Sequence, residues 1–273
     1  MQREPSPDRP IPLFALGFVI TPERALELAR EWVRGPLFAP EAFRKAAIRE
    51  VRGLYLPAYL YSALVHSRYA AEIGENYTVV ETYTTTDSKG RIVTRTRTRT
   101  KTEWRSLEGD HAAYVSDRIV TASRGVANEE LERIEPFDLR ALVRYGPGVI
   151  SGWVSEEPSL SAEQCLALAR QETSAEIGRR LRGFMPGDSH RELRYQSWMS
   201  AEDLAAALLP IWVLPIRYAA DKPMVRLLVN GQTGALTGKA PLSTPKVVAA
   251  TLAGLVLLGA LFGLILWLSG GAR

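Results

Sequence analysis

The sequence predicts an α+β protein carrying a membrane helix at its C-terminus. Three observations carry that expectation: an uncharged apolar run from Val247 to Leu268, amphipathic segments that open on capping residues, and β-rich stretches separated by turn dipeptides. The 273 residues have room for one large domain or two small ones. A composition of 46% hydrophobic and 23% charged residues excludes a disordered or collagen-like chain. The single cysteine excludes an intramolecular disulfide framework and a four-cysteine zinc ribbon. A formal charge of +4 does not mark the whole protein as a nucleic-acid binder.

Residues 1–10 are polar and hold three prolines, so they are expected to form a flexible tail. Ile11 to Ile20 is apolar, but about ten residues cannot span a bilayer. Thr21-Pro22-Glu23 follows where a signal peptide would have small residues, so this stretch is expected to be a strand entering a helix. The helix is expected from Thr21 to Arg34: Thr21 caps it, Pro22 fits its first turn, and Ala25, Leu28, Ala29, Trp32 and Val33 recur on one face. Tyr77–Thr86 and Ile92–Trp104, separated by Asp87-Ser-Lys-Gly90, predict a long hairpin. Shorter helices are expected to start at Asn128 and Ser200. A second hairpin is expected from Leu227–Val229 through Asn230-Gly231 to Ala235–Thr237.

Two ordered echoes point to an internal duplication. Ser161–Arg170 aligns with Thr21–Arg30, and Ser161 with Gln164 has capping-box spacing. Leu209-Pro-Ile-Trp212 echoes Leu56-Pro-Ala-Tyr59, each read as a strand start, and Arg217–Ala220 echoes Arg68–Ala71. The expected organisation is therefore antiparallel sheets with packed helices in two halves, 11–150 and 151–243, a transmembrane helix at 244–268, and a short tail at 269–273.

The run from Val247 to Leu268 has Thr251 as its one polar side chain and would span roughly 33 Å as a helix, against a hydrocarbon core of about 30 Å. Thr244 reads as its N-cap and Pro245 as its first residue. Lys239 and Lys246 flank one end and Trp267 sits at the level of an interfacial aromatic near the other. With no N-terminal signal, the bulk of the chain is expected on the cytoplasmic side, making the protein a tail-anchored, single-pass component of the cell inner membrane. Gly259 and Gly263 form a small-residue pair that would serve as a helix-dimer face, or simply reflect how common glycine is in membrane helices.

Between Thr94 and Thr102, Arg95, Arg97, Arg99 and Lys101 share one strand face while threonines fill the other, with Arg91 and Arg105 extending the charge. Neither face is apolar, so this strand belongs to a projecting hairpin or a sheet edge. Three readings stay open: charge that blocks edge-to-edge aggregation, partly neutralised by Glu81 and Glu103; attraction to anionic lipid or an acidic partner; or tracking of nucleic-acid phosphates with Tyr77, Tyr83 or Trp104 stacking on bases.

No catalytic constellation stands out. His66, His111 and His190 lie far apart, and none has a ligand-type partner at helical spacing. Cys165 takes the place of Ala25 in the aligned helix and is expected to pack. Ser243-Thr-Pro-Lys246 matches a Ser-x-x-Lys pattern but sits beside the apolar run, where capping and a basic flank account for it. Gly146-Pro-Gly148 with Gly152 lacks dinucleotide-loop spacing and is expected to be a turn. No enzyme activity, metal or cofactor is expected.

Several blocks resemble the bacterial membrane proteins usually labelled zinc-ribbon domain-containing proteins. They are Leu56-Pro57-x-Tyr59, Trp104 followed by Gly109, Pro136-Phe-Asp-Leu139, Gly152-Trp153 before Glu156, Leu209-Pro210-x-Trp212, and Val229-Asn-Gly-Gln-Thr-Gly234 leading to Pro241 and Lys246. The resemblance covers about residues 11–268. Family members often begin with paired Cys-x-x-Cys motifs, whereas this chain has only Cys165. Names suggesting helicase or primosome activity in some relatives find no phosphate loop here. The resemblance implies a membrane-associated accessory role, in some relatives alongside flotillin-like and phage-shock-type stress proteins. The expected function is a non-enzymatic, membrane-anchored scaffold that binds the lipid bilayer and a protein partner, with a second copy at the Gly259–Gly263 face left open. The alternative is a membrane-tethered nucleic-acid binder using residues 91–105.

Overall fold

The computed structural model of the protein describes residues 11–86, 90–146 and 148–270, with side chains described through residue 263. The expected tail at 1–10, residues 87–89 of the hairpin turn, Pro147, the Trp267 side chain and residues 271–273 lie outside the described residues.

Among the described residues there are five α-helices: α1 (Pro22–Arg34), α2 (Glu41–Arg44), α3 (Asn128–Glu132), α4 (Ala162–Phe184) and α5 (Thr244–Gly270). The strands are β1 (Phe14–Ala15), β2 (Arg52–Thr86), β3 (Ile92–Thr121), β4 (Val143–Arg144), β5 (Val154–Ser155), β6 (Ser189–Ile216), β7 (Val225–Asn230) and β8 (Leu236–Gly238). They pair in the order β3-β2-β6-β1-β4, with β5 on β2 and β7-β8 on β6. The fold is α+β, as its sequence predicts. The sheet is mixed, not purely antiparallel: β1 runs parallel to β6 and β5 parallel to β2.

The chain divides into two units that cut across the expected halves. The first takes Met1–Ala58, Thr121–Ser159 and Ala206–Arg273, the second Tyr59–Val120 and Leu160–Ala205. The reason is strand length. β2, β3 and β6 hold 35, 30 and 28 residues, so each contributes to both units.

The two echoed helices start in the same way. Thr21 and Ser161 have nearly the same extended backbone (φ −74°, ψ 161° and φ −73°, ψ 159°), and each side-chain oxygen accepts from the N–H three residues on. Each helix buries small residues at matching positions, Ala25 and Ala29 on α1 and Cys165 and Ala169 on α4. The later echoes diverge. Leu56-Pro57 lies near the start of β2, but Leu209-Pro210 lies in the last third of β6 and starts no strand. Tyr69 is buried in β2, while Arg217–Ala220 follows the end of β6.

The helix expected from Ser200 does not form. Ser189–Ile216 is one continuous strand, and Ala201 adopts a left-handed φ of 49° that a right-handed helix cannot contain. Pairing overrides the helix-favouring Ala-Glu-Asp-Leu-Ala-Ala-Ala composition. Ser200 Oγ donates to Leu64 O, and Ser67 Oγ lies 2.7 Å from Ser197 Oγ on the facing strand.

In the second unit α4 lays Cys165, Ala169, Thr173, Ile177 and Leu181 against the strands. Gly178 leaves room for Tyr195, since a Cβ there would overlap the phenol oxygen. Tyr61, fully buried on β2, donates to Glu202 Oε2 at 2.7 Å, and Arg170 of α4 donates to both oxygens of the same carboxylate at 2.7 Å. The Arg170 guanidinium beside Glu202 holds its carboxyl below the usual range, helped by the Tyr61 hydroxyl; burial, then Glu202, raises Tyr61. A depressed acid stabilises the fold above its unfolded pKa of about 4.3, and that contribution is lost as pH falls through the folded value. Glu202→Gln should therefore cost about 1–2 kcal/mol at pH 7, discounted because Arg170 is half exposed. The gap between thermal melts of variant and wild type should shrink as pH falls below the unfolded value of about 4.3.

The first unit gathers α1, α2 and strands β6 and β7 around Phe43, Trp212, Leu214 and Leu227. Blocks scattered through the sequence meet here. Phe18 stacks on Trp153 at 4.1 Å, and both rings reach Trp212, at 4.8 and 5.7 Å. Gly53 lies under these rings, and a side chain there would collide with Trp153. Trp212 Nε1 donates to Ile20 O at 2.9 Å.

Candidate functional site

α5 is the longest of the described helices and the most distinctive candidate element. Thr244–Gly263 has a mean hydropathy of 2.0 with none of it buried against the protein, so this helix is long and apolar enough to cross a membrane. It starts one residue earlier than its sequence predicts: Ser243 takes the capping place and its carbonyl accepts from Val247 N at 3.0 Å. Thr251, the one polar side chain of the apolar run, is satisfied within the helix by donating to Val247 O at 2.9 Å. Gly259 and Gly263 lie on this helix with open space beside them.

Lys246 has a second task besides flanking the helix. Its Nζ donates to Ala39 O at 2.8 Å and to Leu37 O at 3.4 Å, and Ser243 N donates to Phe38 O at 2.8 Å. These bonds tie the foot of α5 to the loop between α1 and α2. The same bonds commit Lys246 to carbonyl oxygens, so the Ser-x-x-Lys pattern supplies no free amine. Lys239 is exposed.

The basic strand lies on β3, at the end of the sheet order, and is exposed on both faces from Thr94 to Lys101. Its charges converge on the facing strand. Arg97 donates to Glu81 at 3.0 and 3.1 Å, Arg99 and Lys101 approach the same carboxylate at 3.8 and 3.7 Å, and Arg105 pairs with Glu75. The Arg97 hydrogen bond, with Arg99 and Lys101 behind it, holds Glu81 below the usual carboxylate range. Arg97 also lies 5.5 Å from the Tyr83 ring centre, and Trp104 is covered by Arg191 at 4.1 Å. Arg91 and Arg95 extend the row along the edge. Tyr83 and Trp104 thus already carry cations, while Tyr77 is exposed.

The histidines do not gather into one site among the described residues. His66 stacks on Trp198 at 5.8 Å, His111 neighbours Phe184, and His190 joins neither. No group of three or more His, Cys, Asp or Glu among the described residues could hold a metal ion. Burial pushes the Cys165 thiol up to about 11, so at neutral pH it is a thiol and a poor nucleophile. Gly148 to Gly152 forms turns, closed by Trp153 N donating to Ile150 O, with Gly152 at φ +84°.

A feature that sequence reasoning missed is a cleft of about 750 Å³ in the first unit. Arg49, Arg52, Arg217 and Arg226 line it over an apolar floor that includes Val213 and Pro215. Arg52 pairs with Glu50 at 2.7 Å and Arg226 with Glu130 at 2.6 Å, whereas Arg49 and Arg217 make no ion pair among the described residues. The only sequence signal was the Arg49-x-x-Arg52 spacing. Arg217 and Arg226 join it through the pairing of β6 with β7.

Comparison with known proteins adds one distant relative. The chain is 24% identical over 241 residues to "Uncharacterized protein YdjG" of Bacillus subtilis (strain 168), covering 87% of this chain and 66% of that protein. No family model matches, and no solved structure matches. The chain therefore spans just under two thirds of the relative it matches.

Proposed function

We propose that the protein is a non-enzymatic, single-pass membrane scaffold whose folded units face the cytoplasm of the inner membrane. One observation carries this reading: a 27-residue apolar helix, exposed along its described length, leaves a folded unit to which its foot is hydrogen-bonded. Lys239 and Lys246 on the folded side favour the cytoplasm for that side. The resemblance to zinc-ribbon membrane proteins fits an accessory role at the membrane. The matched caps of α1 and α4 support a duplicated helical element.

Function then follows from placement. A partner that visits the membrane meets the scaffold at a raised effective concentration, so weak contacts suffice. The arginine cleft is the contact surface we assign to an acidic partner segment, because two of its guanidinium groups, Arg49 and Arg217, make no ion pair among the described residues. The full-length protein should stay in the membrane pellet after alkaline carbonate washing. A fluorescent-protein fusion at its N-terminus should glow, and a phosphatase fusion there should be inactive. The reverse fusion result would place the folded part outside and end the reading. Arg49→Glu with Arg217→Glu should reduce co-purification of cross-linked membrane partners about tenfold or more while the protein stays in the pellet, the loss expected for removing two charge-assisted contacts.

A further inference from the structure

At the foot of α5, cations and apolar side chains sit together. The loop between α1 and α2 turns Ala39 inward, and α2 turns Phe43 inward, both fully buried, but the loop leaves Leu37 and Phe38 74% and 45% exposed. Leu242, just before α5, is 73% exposed. Ser243 N bonding to Phe38 O, and Lys246 bonding to Leu37 O and Ala39 O, hold these three apolar side chains around the first turn of the apolar helix. Exposed large apolar groups in a cluster need a partner.

Beside them lies a notch of about 440 Å³ lined by Arg34, Arg44, Lys45 and Lys246, with Glu41 as the single acid. Glu41 is already matched by Lys45 at 2.6 Å, and that hydrogen bond, with Lys246 and Arg44 adding to it, holds the carboxyl below its usual range. The notch therefore keeps an excess of positive charge. Arg44 Nε donates to Arg34 O at 3.1 Å, which fixes one guanidinium at the rim.

We propose that this notch binds the headgroup of an anionic phospholipid, while Leu37, Phe38 and Leu242 enter the acyl region of the same leaflet. The proposal rests on the reading that α5 spans a bilayer. The continuity of apolar surface from Leu242 and Leu37 into the helix sets the depth. At that depth a phosphate belongs opposite guanidinium and ammonium groups. Two signals, an inserted helix and a charged seat, would fix the orientation of the first unit on the membrane.

The test uses the full chain in nanodiscs of equal parts phosphatidylglycerol and phosphatidylcholine. Wild type should retain phosphatidylglycerol over phosphatidylcholine after detergent extraction, and Arg44→Gln with Lys45→Gln should reduce that ratio at least fivefold. Arg95→Gln with Arg99→Gln, on the basic hairpin, should leave it unchanged. An unchanged ratio in the notch variant, or a fall only in the hairpin variant, overturns the proposal. Millimolar inorganic phosphate should not displace the retained lipid; if it does, the notch is a phosphate site and the lipid assignment fails. In a Cys165→Ala background, an environment-sensitive fluorophore on Leu37→Cys should be quenched by brominated acyl chains, as should one on Leu258→Cys. Quenching at residue 258 but not at 37 sinks the seat and leaves the anchor standing. Quenching at neither sinks the membrane-spanning reading itself.

Discussion

Replacing Leu255 and Leu258 together with arginine is expected to move the protein out of the membrane pellet and into the carbonate-soluble fraction. Both side chains are exposed on α5, inside the span of highest hydropathy. About a dozen Leu, Ile, Val and Phe residues between Val247 and Leu268 each favour insertion by about 0.3–0.6 kcal/mol, several kcal/mol in sum. Each arginine near the centre opposes insertion by about 2.5–3.5 kcal/mol on the same scale, so two are enough to cancel it. Leu255→Ala with Leu258→Ala removes little of the sum and should leave the protein in the pellet. If α5 instead packs on a protein partner, the arginine pair would disrupt that complex, but the wild type would wash out of the pellet at alkaline pH. Fractionation of wild type and both variants separates the two cases.

How far the sequence could be read depended on whether a signal was local. The apolar helix, the Thr21 and Ser161 caps and the Leu227–Thr237 hairpin follow from neighbouring residues, and the structure contains all of them. The length of β2 and β6 does not. The helix expected at Ser200 rested on alanine-rich propensity, a weak local preference that cross-strand pairing outweighs. The arginine cleft was illegible for a related reason: Arg49 and Arg217 are brought together only by the pairing of distant strands. The basic strand was legible as an exposed edge partly neutralised by Glu81, but not that this one carboxylate meets three cations, which depends on the register of β2 on β3. The resemblance motifs had a structural meaning that periodicity could not supply. Gly152-Trp153, Leu209-Pro210-x-Trp212 and the Asn230–Gly234 block lie far apart in the chain, yet all pack in the first unit, where Gly231 lies against Phe18 and Pro210.

That last block should be where a single substitution costs the fold most. Asn230 is fully buried and makes a bond with every available side-chain lone pair and proton it uses: Nδ2 donates to Ile134 O at 2.7 Å and Pro136 O at 3.1 Å, and Oδ1 accepts from Gln232 N at 2.8 Å and Thr233 N at 3.1 Å. The turn it holds also places Gly231 O to accept from Val19 N and Ile20 N, and Gln232 Oε1 to accept from Asp138 N at 3.0 Å. One side chain thus joins the segment after α3, the β7–β8 turn and the approach to α1. Asn230→Ala strips partners from two carbonyls and two N–H groups that have little access to water. Each such orphan costs about 1–3 kcal/mol. With partial relaxation the expected total is about 3–5 kcal/mol, a large share of the 5–15 kcal/mol that holds a typical domain. Thermal melts and urea titrations of the detergent-solubilised protein should show it as the largest single-site loss. Asn230→Asp separates the two halves of the network. It keeps both acceptor contacts but turns carboxylate oxygen toward the carbonyls of Ile134 and Pro136, so at pH 7 it should be no more stable than the alanine variant. If the aspartate variant melts like wild type, the donor contacts to Ile134 and Pro136 contribute little, and the joining role of Asn230 is refuted.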